Sequence, residues 1–308
     1  MTPVLPSGRQ FVIRHGDDVA TVVELGGGLR SYIAAGRELL DGFAANEAVS
    51  NGRGQVLAPW PNRIDGGRYT WDGNEHQLAL TEPARSNAIH GLLRFVPWNC
   101  ARHDASEVAM SQQVLPQPGY PFALTVEVAY RLSDSGLEVT TTARNTGTAD
   151  LPWALGHHPY LAPPGAEYID ECSIELRAAT YVASDERGIP TDTVSATDTA
   201  FDLRAASSVR DLQLDTAFTD LERDDDGHAH VQLVGPNGIG TELWMDASYP
   251  YAQLFSGDTL APDRRRRGLA VEPMTAPANA FRSGTDVIRL EPGAATSHQW
   301  GIRALTGG

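Results

Sequence analysis

Short runs of apolar residues that alternate with polar ones, not helical stripes, organise this chain. Phe11 to Arg14, Thr21 to Leu25, Phe122 to Leu132, Leu137 to Asn145, His230 to Val234 and Asp286 to Leu290 are such runs, separated by Gly, Asn, Asp or Pro. A period near two sends successive side chains to opposite faces, so these segments are predicted strands. The clearest pair is Phe122 to Leu132 and Leu137 to Asn145, joined by Ser133-Asp134-Ser135-Gly136, a hairpin with Val126, Val128 and Tyr130 on one face. Asp72-Gly73, between Tyr69-Thr70-Trp71 and Asn74-Glu75-His76, predicts a second tight hairpin, because both residues accept the left-handed backbone of such turns. No amphipathic stretch exceeds two helical turns. Ala200 to Val209 is the best place for a short helical or irregular crossing. No fixed-period repeat is evident, which argues against propellers and solenoids. The pattern therefore predicts an all-β protein: a large antiparallel β-sandwich forming a single domain over residues 1–308.

Composition narrows the partners. A 41% apolar content supports a sizeable core, and no long Pro/Gly/Ser linker divides the chain. The formal charge of -15 argues against nucleic acid or an anionic membrane as a partner, since both would be repelled. Arg264 to Arg267 is the one basic run and reads as a solvated loop. Cys100 and Cys172 are too few for a disulfide framework or a thiolate zinc site, which fits a reducing cytoplasm. The start, Met1-Thr2-Pro3-Val4-Leu5-Pro6, lacks the features of a secretory signal, and no run reaches membrane-spanning length. A soluble, cytoplasmic protein is the expectation. Nothing in the pattern fixes an oligomeric state.

Familiar cofactor and nucleophile motifs are missing: there is no Gly-rich phosphate loop before a helix and no nucleophile elbow. His228 and His230, after Asp224-Asp225-Asp226-Gly227, read as an acidic turn entering a strand, not a metal site. Gly156-His157-His158-Pro159-Tyr160 is more telling. Pro159 keeps His158 extended, so the two imidazoles face opposite ways and only one can enter a given pocket. An imidazole so placed suits proton transfer near neutrality. Glu272, directly after Leu269-Ala270-Val271, begins partly buried, which raises a carboxyl pKa toward that of a neutral-pH base. Arg63, within Pro59-Trp60-Pro61-Asn62-Arg63-Ile64, offers a planar donor fork to vicinal hydroxyls or to a carboxylate. His90 of Asn87-Ala88-Ile89-His90-Gly91 suits a buried structural role or a site role equally. Asp215 interrupts a strand-like run at Leu214-Asp215-Thr216-Ala217-Phe218.

Taken in order, Asn62-Arg63-Ile64, Ile89-His90-Gly91, His158-Pro159-Tyr160, Asp215-Thr216-Ala217-Phe218 and Glu272-Pro273 resemble the motifs of the aldose 1-epimerases, or galactose mutarotases. The resemblance spans nearly the whole chain, with Gly188-Ile189-Pro190-Thr191 between. It implies a galactose mutarotase-like β-sandwich with a sugar cleft, acting on a small-molecule sugar without cofactor or metal. It further implies His158 as general acid, Glu272 as general base and His90 as a second active-site histidine. Arg63, Asp215 and Asn62 would bind sugar hydroxyls. His157, where many members have asparagine, would contact substrate or orient His158. His90-Gly91-Leu92-Leu93-Arg94 stands where galactose mutarotases carry His-Gly-Gly, which points to the bacterial epimerase-like branch whose sugars vary. The expected reaction is interconversion of α and β anomers of a free aldose, with a pH optimum between the pKa values of Glu272 and His158. A hexose-phosphate or sulfosugar epimerase, a glycoside hydrolase using Asp215 and Glu272, and a non-catalytic sugar-binding protein are the alternatives.

Overall fold

The computed structural model describes residues 4–306, and its architecture is nearly all strand. Two large sheets make up the body. The nine-stranded one runs Asn99–His103, Glu107–Val114, Leu124–Ser133, Gly136–Asn145, Ala295–Leu305, Gly240–Met245, Ala229–Val234, Ser173–Leu176 and Ser207–Ser208. Its central hairpin is the one the alternation predicts, closing at Ser133 opposite Gly136, with Val126, Val128 and Tyr130 wholly buried. The eight-stranded sheet runs Pro190–Ser195, Ala178–Ser184, Asp215–Leu221, Tyr251–Phe255, Leu269–Met274, Gly156–His157 and Val56–Leu57, with Tyr160–Leu161 also pairing on Leu269–Met274. Pairing throughout both sheets is antiparallel.

A continuous apolar cluster fills the space between the sheets, including Trp153, Trp300, Leu254 and Val271. Burial of that many aliphatic and aromatic side chains, at about 25 cal/mol per Å² of apolar surface, is the main force holding the layers together. A smaller four-stranded sheet, Gln10–His15 through Arg37–Glu38, packs against Glu107–Val114 and Leu124–Ser133. The Asp72-Gly73 hairpin forms as expected: both residues have positive φ, 47° and 78°, and Trp71 pairs with Asn74.

Of the two forms expected for Ala200 to Val209, the irregular one is found, with the two-residue strand Ser207–Ser208 near its end. The sole α-helix among the described residues is Ala280–Ser283, a single turn. The basic run is no solvated loop. Arg266 is largely buried, with ion pairs to Asp170 at 2.7 Å and Asp258 at 2.8 Å and donor bonds to the carbonyls of Leu212 and Val209. Arg264 pairs with Glu47 and Asp41, and Arg267 with Glu167 at 2.8 Å. Acids distant in sequence convert a locally polar run into a clasp.

Candidate active site

The outer face of the eight-stranded sheet carries the cleft, and the His157-His158 step shows how. His157 turns into the core between the sheets, where its Nε2 lies 2.9 Å from Thr141 Oγ1 and its ring packs 5.1 Å from Trp300. It is not among the residues that line the cleft. His158, pointing the other way, does line it. Strand alternation alone produces the separation. The backbone at His158 is pinned, since its N–H donates to Gln55 and its carbonyl accepts from Gly54. Tyr160 stacks on its ring at 5.0 Å, and Arg53 lies over the same tyrosine at 4.7 Å. Gly52, at φ +78°, completes the wall: a Cβ there would come within 2.6 Å of the imidazole.

Glu272 stands in the middle of Leu269–Met274, a strand buried throughout. Its Oε1 is 3.3 Å from His158 Nε2. Its Oε2 and His158 Nδ1 are buried without a hydrogen-bond partner in the protein, an unusual condition for polar atoms at such depth. Burial, with Asp215 nearby, pushes the Glu272 carboxyl well above its ordinary pKa, against the opposing pull of Arg63 and Arg94. Burial, with Arg94 and Arg53 beside it, lowers His158 to about 3. Both directions favour the neutral form of each group.

His90 completes the trio, its ring 5.5 Å from that of His158. The Asn62 backbone N–H donates to His90 Nδ1 at 3.1 Å, and the His90 backbone N–H donates to the Asn62 carbonyl at 2.8 Å. An Nδ1 that accepts leaves the proton on Nε2, so the ring presents an N–H to the cleft. Burial and the neighbouring Arg94 hold its pKa well below the usual value. His90 is therefore a neutral donor. Asn62 makes this clamp through its backbone, and both residues adopt positive φ, 51° and 61°.

Arg63 lies in the cleft, but most of its fork is already engaged. Nε and Nη2 bind Glu82 at 2.9 and 3.1 Å, a bidentate pair that a buried guanidinium requires. Its remaining edge faces Asn62 Oδ1 and Gly188, where a Cβ would meet Nη1 at 2.6 Å. Within the chain itself the fork's partner is the Glu82 carboxylate. Asp215, at the exposed start of its strand, accepts from Gln253, which sits directly across from Glu272. Glu82 and Gln253 escaped sequence reading. The acid before Pro83 was the only local signal for Glu82.

The three reactive side chains bring ligating atoms within 4.8 Å of one another, close enough to hold a cation. Two imidazoles and a carboxylate are also a zinc donor set. Arg63 and Arg94 beside Glu272 oppose that occupant, because they add positive charge where a divalent ion would sit. The cleft, about 340 Å³, is otherwise lined by Gln55, Arg85, Phe95, Phe255 and Leu260.

Fold and cleft together define a β-sandwich of the galactose mutarotase-like kind. The chain belongs to the aldose 1-epimerase family, whose sequence pattern it matches over residues 9–303. It is 34% identical over 291 residues to the uncharacterized protein YihR of Escherichia coli, covering 93% of this chain and 90% of that one. It is 27% identical over 267 residues to the aldose 1-epimerase of the same organism, covering 77% and 75%. Among solved structures, the GalM/aldose epimerase homologue of C. elegans superposes with a TM-score of 0.86 at 20% identity, covering 97% of this chain and 99% of that one.

Proposed function

We propose that this protein interconverts the α and β anomers of a free aldose, with His158 and Glu272 as its proton-transfer pair. The observation that carries the reading is the 3.3 Å contact, in the cleft wall, between a buried imidazole and a buried carboxyl, each with its other polar atom buried and unpartnered. Sugar hydroxyls that hydrogen-bond the carboxyl, with Arg63 and Arg94 beside it, favour its ionised form and pass its proton to His158. Glu272 then takes the anomeric hydroxyl proton as His158 protonates the ring oxygen. The bond from C1 to the ring oxygen breaks, and C1 becomes an aldehyde carbon. Rotation about C1–C2 presents the other carbonyl face. The ring oxygen adds back, returning its proton to His158 while Glu272 gives one to the carbonyl oxygen. One proton is on the pair at the start and one at the end, so nothing is consumed. The His90 N–H is placed to stabilise charge on the oxygen that changes hands.

The test is anomer equilibration by polarimetry or NMR, starting from pure anomers of glucose, galactose, xylose and arabinose. His158→Asn and Glu272→Gln should each lower kcat by about 10² to 10⁴. Dialysis against a chelator should leave the rate unchanged, and an aryl glycoside should release no phenol. Full activity in both variants refutes the assignment, and loss on chelation would move the chemistry to a metal.

A further inference from the structure

Gly188-Ile189-Pro190-Thr191 has no part in the proton chemistry, yet its turn lies directly against Arg63. The turn joins the strands Ala178–Ser184 and Pro190–Ser195. Asp185 braces it from within, its Oδ1 accepting from the backbone N–H groups of Arg187 and Ile189 at 2.9 Å each. Gly188, at φ +74°, brings the backbone so near that a Cβ would come within 3.0 Å of Arg63 Cδ and Cζ as well as meeting Nη1. Nη1 is the edge of the fork that Glu82 leaves unclaimed. The turn therefore limits where that edge can point.

Arg187 ties the turn down. Its Nε donates to the Arg85 carbonyl at 3.0 Å, and its Nη2 donates to Asp65 Oδ1 at 2.5 Å and to Asn87 Oδ1 at 3.2 Å. Asn87, wholly buried, answers with Nδ2, which donates to the Arg187 carbonyl at 2.9 Å and to Glu82 Oε2 at 3.1 Å. That same Glu82 oxygen holds Arg63 Nε. One guanidinium thus governs both surroundings of Arg63, its counter-charge through Asn87 and its ceiling through Gly188. A planar fork of donors suits such a junction of several acceptors. Its loss strands no charge, because Asp65 keeps Arg282 at 2.8 Å.

We infer that Arg187 is a positioning residue for sugar binding: it locks the turn to the Glu82–Asn87 segment, so that Arg63 offers Nη1 to a sugar hydroxyl in one orientation. Arg187 itself is not among the residues that line the cleft. The inference rests on the anomer-exchange reading of that cleft. A hydroxyl that the reaction leaves unchanged is held equally in ground and transition states, so losing its alignment appears in KM and not in kcat.

Anomer exchange is measured by NMR on whichever of glucose, galactose, xylose and arabinose the wild type equilibrates fastest. The variants are Arg187→Met, Arg187→Lys, Arg282→Met, Arg63→Lys and the double Arg187→Met/Arg63→Lys, with folding checked by thermal melts. Arg187→Met should raise KM by about ten-fold, the scale of one hydrogen bond to a charged group, with kcat changed by less than about three-fold. Arg187→Lys should recover part of the difference, keeping the charge beside Asp65 without the fork. Arg282→Met removes the other cation on Asp65 and should leave KM unchanged. In the double variant kcat/KM should match that of Arg63→Lys alone within about two-fold, because Arg187 acts through Arg63. An unchanged KM in Arg187→Met, a loss confined to kcat, an equal rise in Arg282→Met, or additive losses in the double variant overturns the inference and leaves anomer exchange standing. A wild type inert on all four sugars overturns both.

Discussion

His90 occupies a backbone region that most side chains avoid, and the strain is held by its two reciprocal bonds with Asn62. The same clamp sets the ring's tautomer. His90→Asn, which tolerates that backbone but cannot reach as far, should lower kcat by about 10² to 10³ with a nearly unchanged melting temperature. His90→Val should also destabilise the fold, since a β-branched residue fits positive φ poorly. Steady-state kinetics beside thermal melts distinguish the two losses. The paired titration gives a second prediction. With His158 lowered to about 3 and Glu272 raised, kcat/KM should show no acid limb centred on 6.5, and its alkaline limb should report loss of the pair's last proton. A limb at 6.5 that vanishes in His158→Asn would mean an ordinary imidazole. The trio itself was legible in the sequence because histidine and glutamate stand out beside Pro and Gly. Glu82, Gln253 and the Asn62 clamp were not, because ordinary polar residues acquire such roles only through contacts made by folding.

At the scale of elements, period-two alternation and turn chemistry located the central hairpin and the Asp72-Gly73 turn. Strand ends moved by one or two residues, as at Leu124–Ser133, where pairing and not propensity decides the limit. The Arg264 to Arg267 run misled for a physical reason: a charge run looks solvated until its distant acids are known. Arg266 ties the segment carrying Thr259 and Leu260, which line the cleft, to Asp170 and to the carbonyls of Val209 and Leu212. Arg266→Met should cost about 3 kcal/mol, because it strands two carboxylates and frees two carbonyls. Chemical denaturation checks the stability. A raised KM with kcat little changed would show that the clasp shapes the cleft wall, not the proton chemistry.

For the molecule as a whole, buried neutral imidazoles tie stability to pH. Burial lowers His157 to about 3 and His298 to about 4, below the ordinary value of 6.5. As pH falls below 6.5 the unfolded chain binds protons that the folded chain refuses, so stability declines from there toward pH 3. The slope approaches about 1.4 kcal/mol per pH unit for each group. His158 adds to this trend. Glu272, raised in the folded state, opposes it by losing its stabilising contribution as pH rises. Urea unfolding at pH 7 and pH 5 should show the loss, and His157→Gln should flatten it. The sandwich class followed from alternation alone. The contact between His158 and Glu272 did not, because it joins strands far apart in the chain.

The strand that sends His157 inward and His158 outward also decides where new specificity can arise. The floor of the cleft is one backbone thick at this point, and its underside is the apolar interior. A change of residue or spacing there is felt on both sides at once. Arg85, Arg94, Phe95 and Leu260 line the same cleft from turns, a bend and a short 3-10 helix, outside its strands. Retargeting the pocket by mutagenesis therefore has a usable margin and an untouchable base: variety at those four positions should leave soluble protein to screen, whereas variety between Gly156 and Tyr160 should mostly yield chains that never fold.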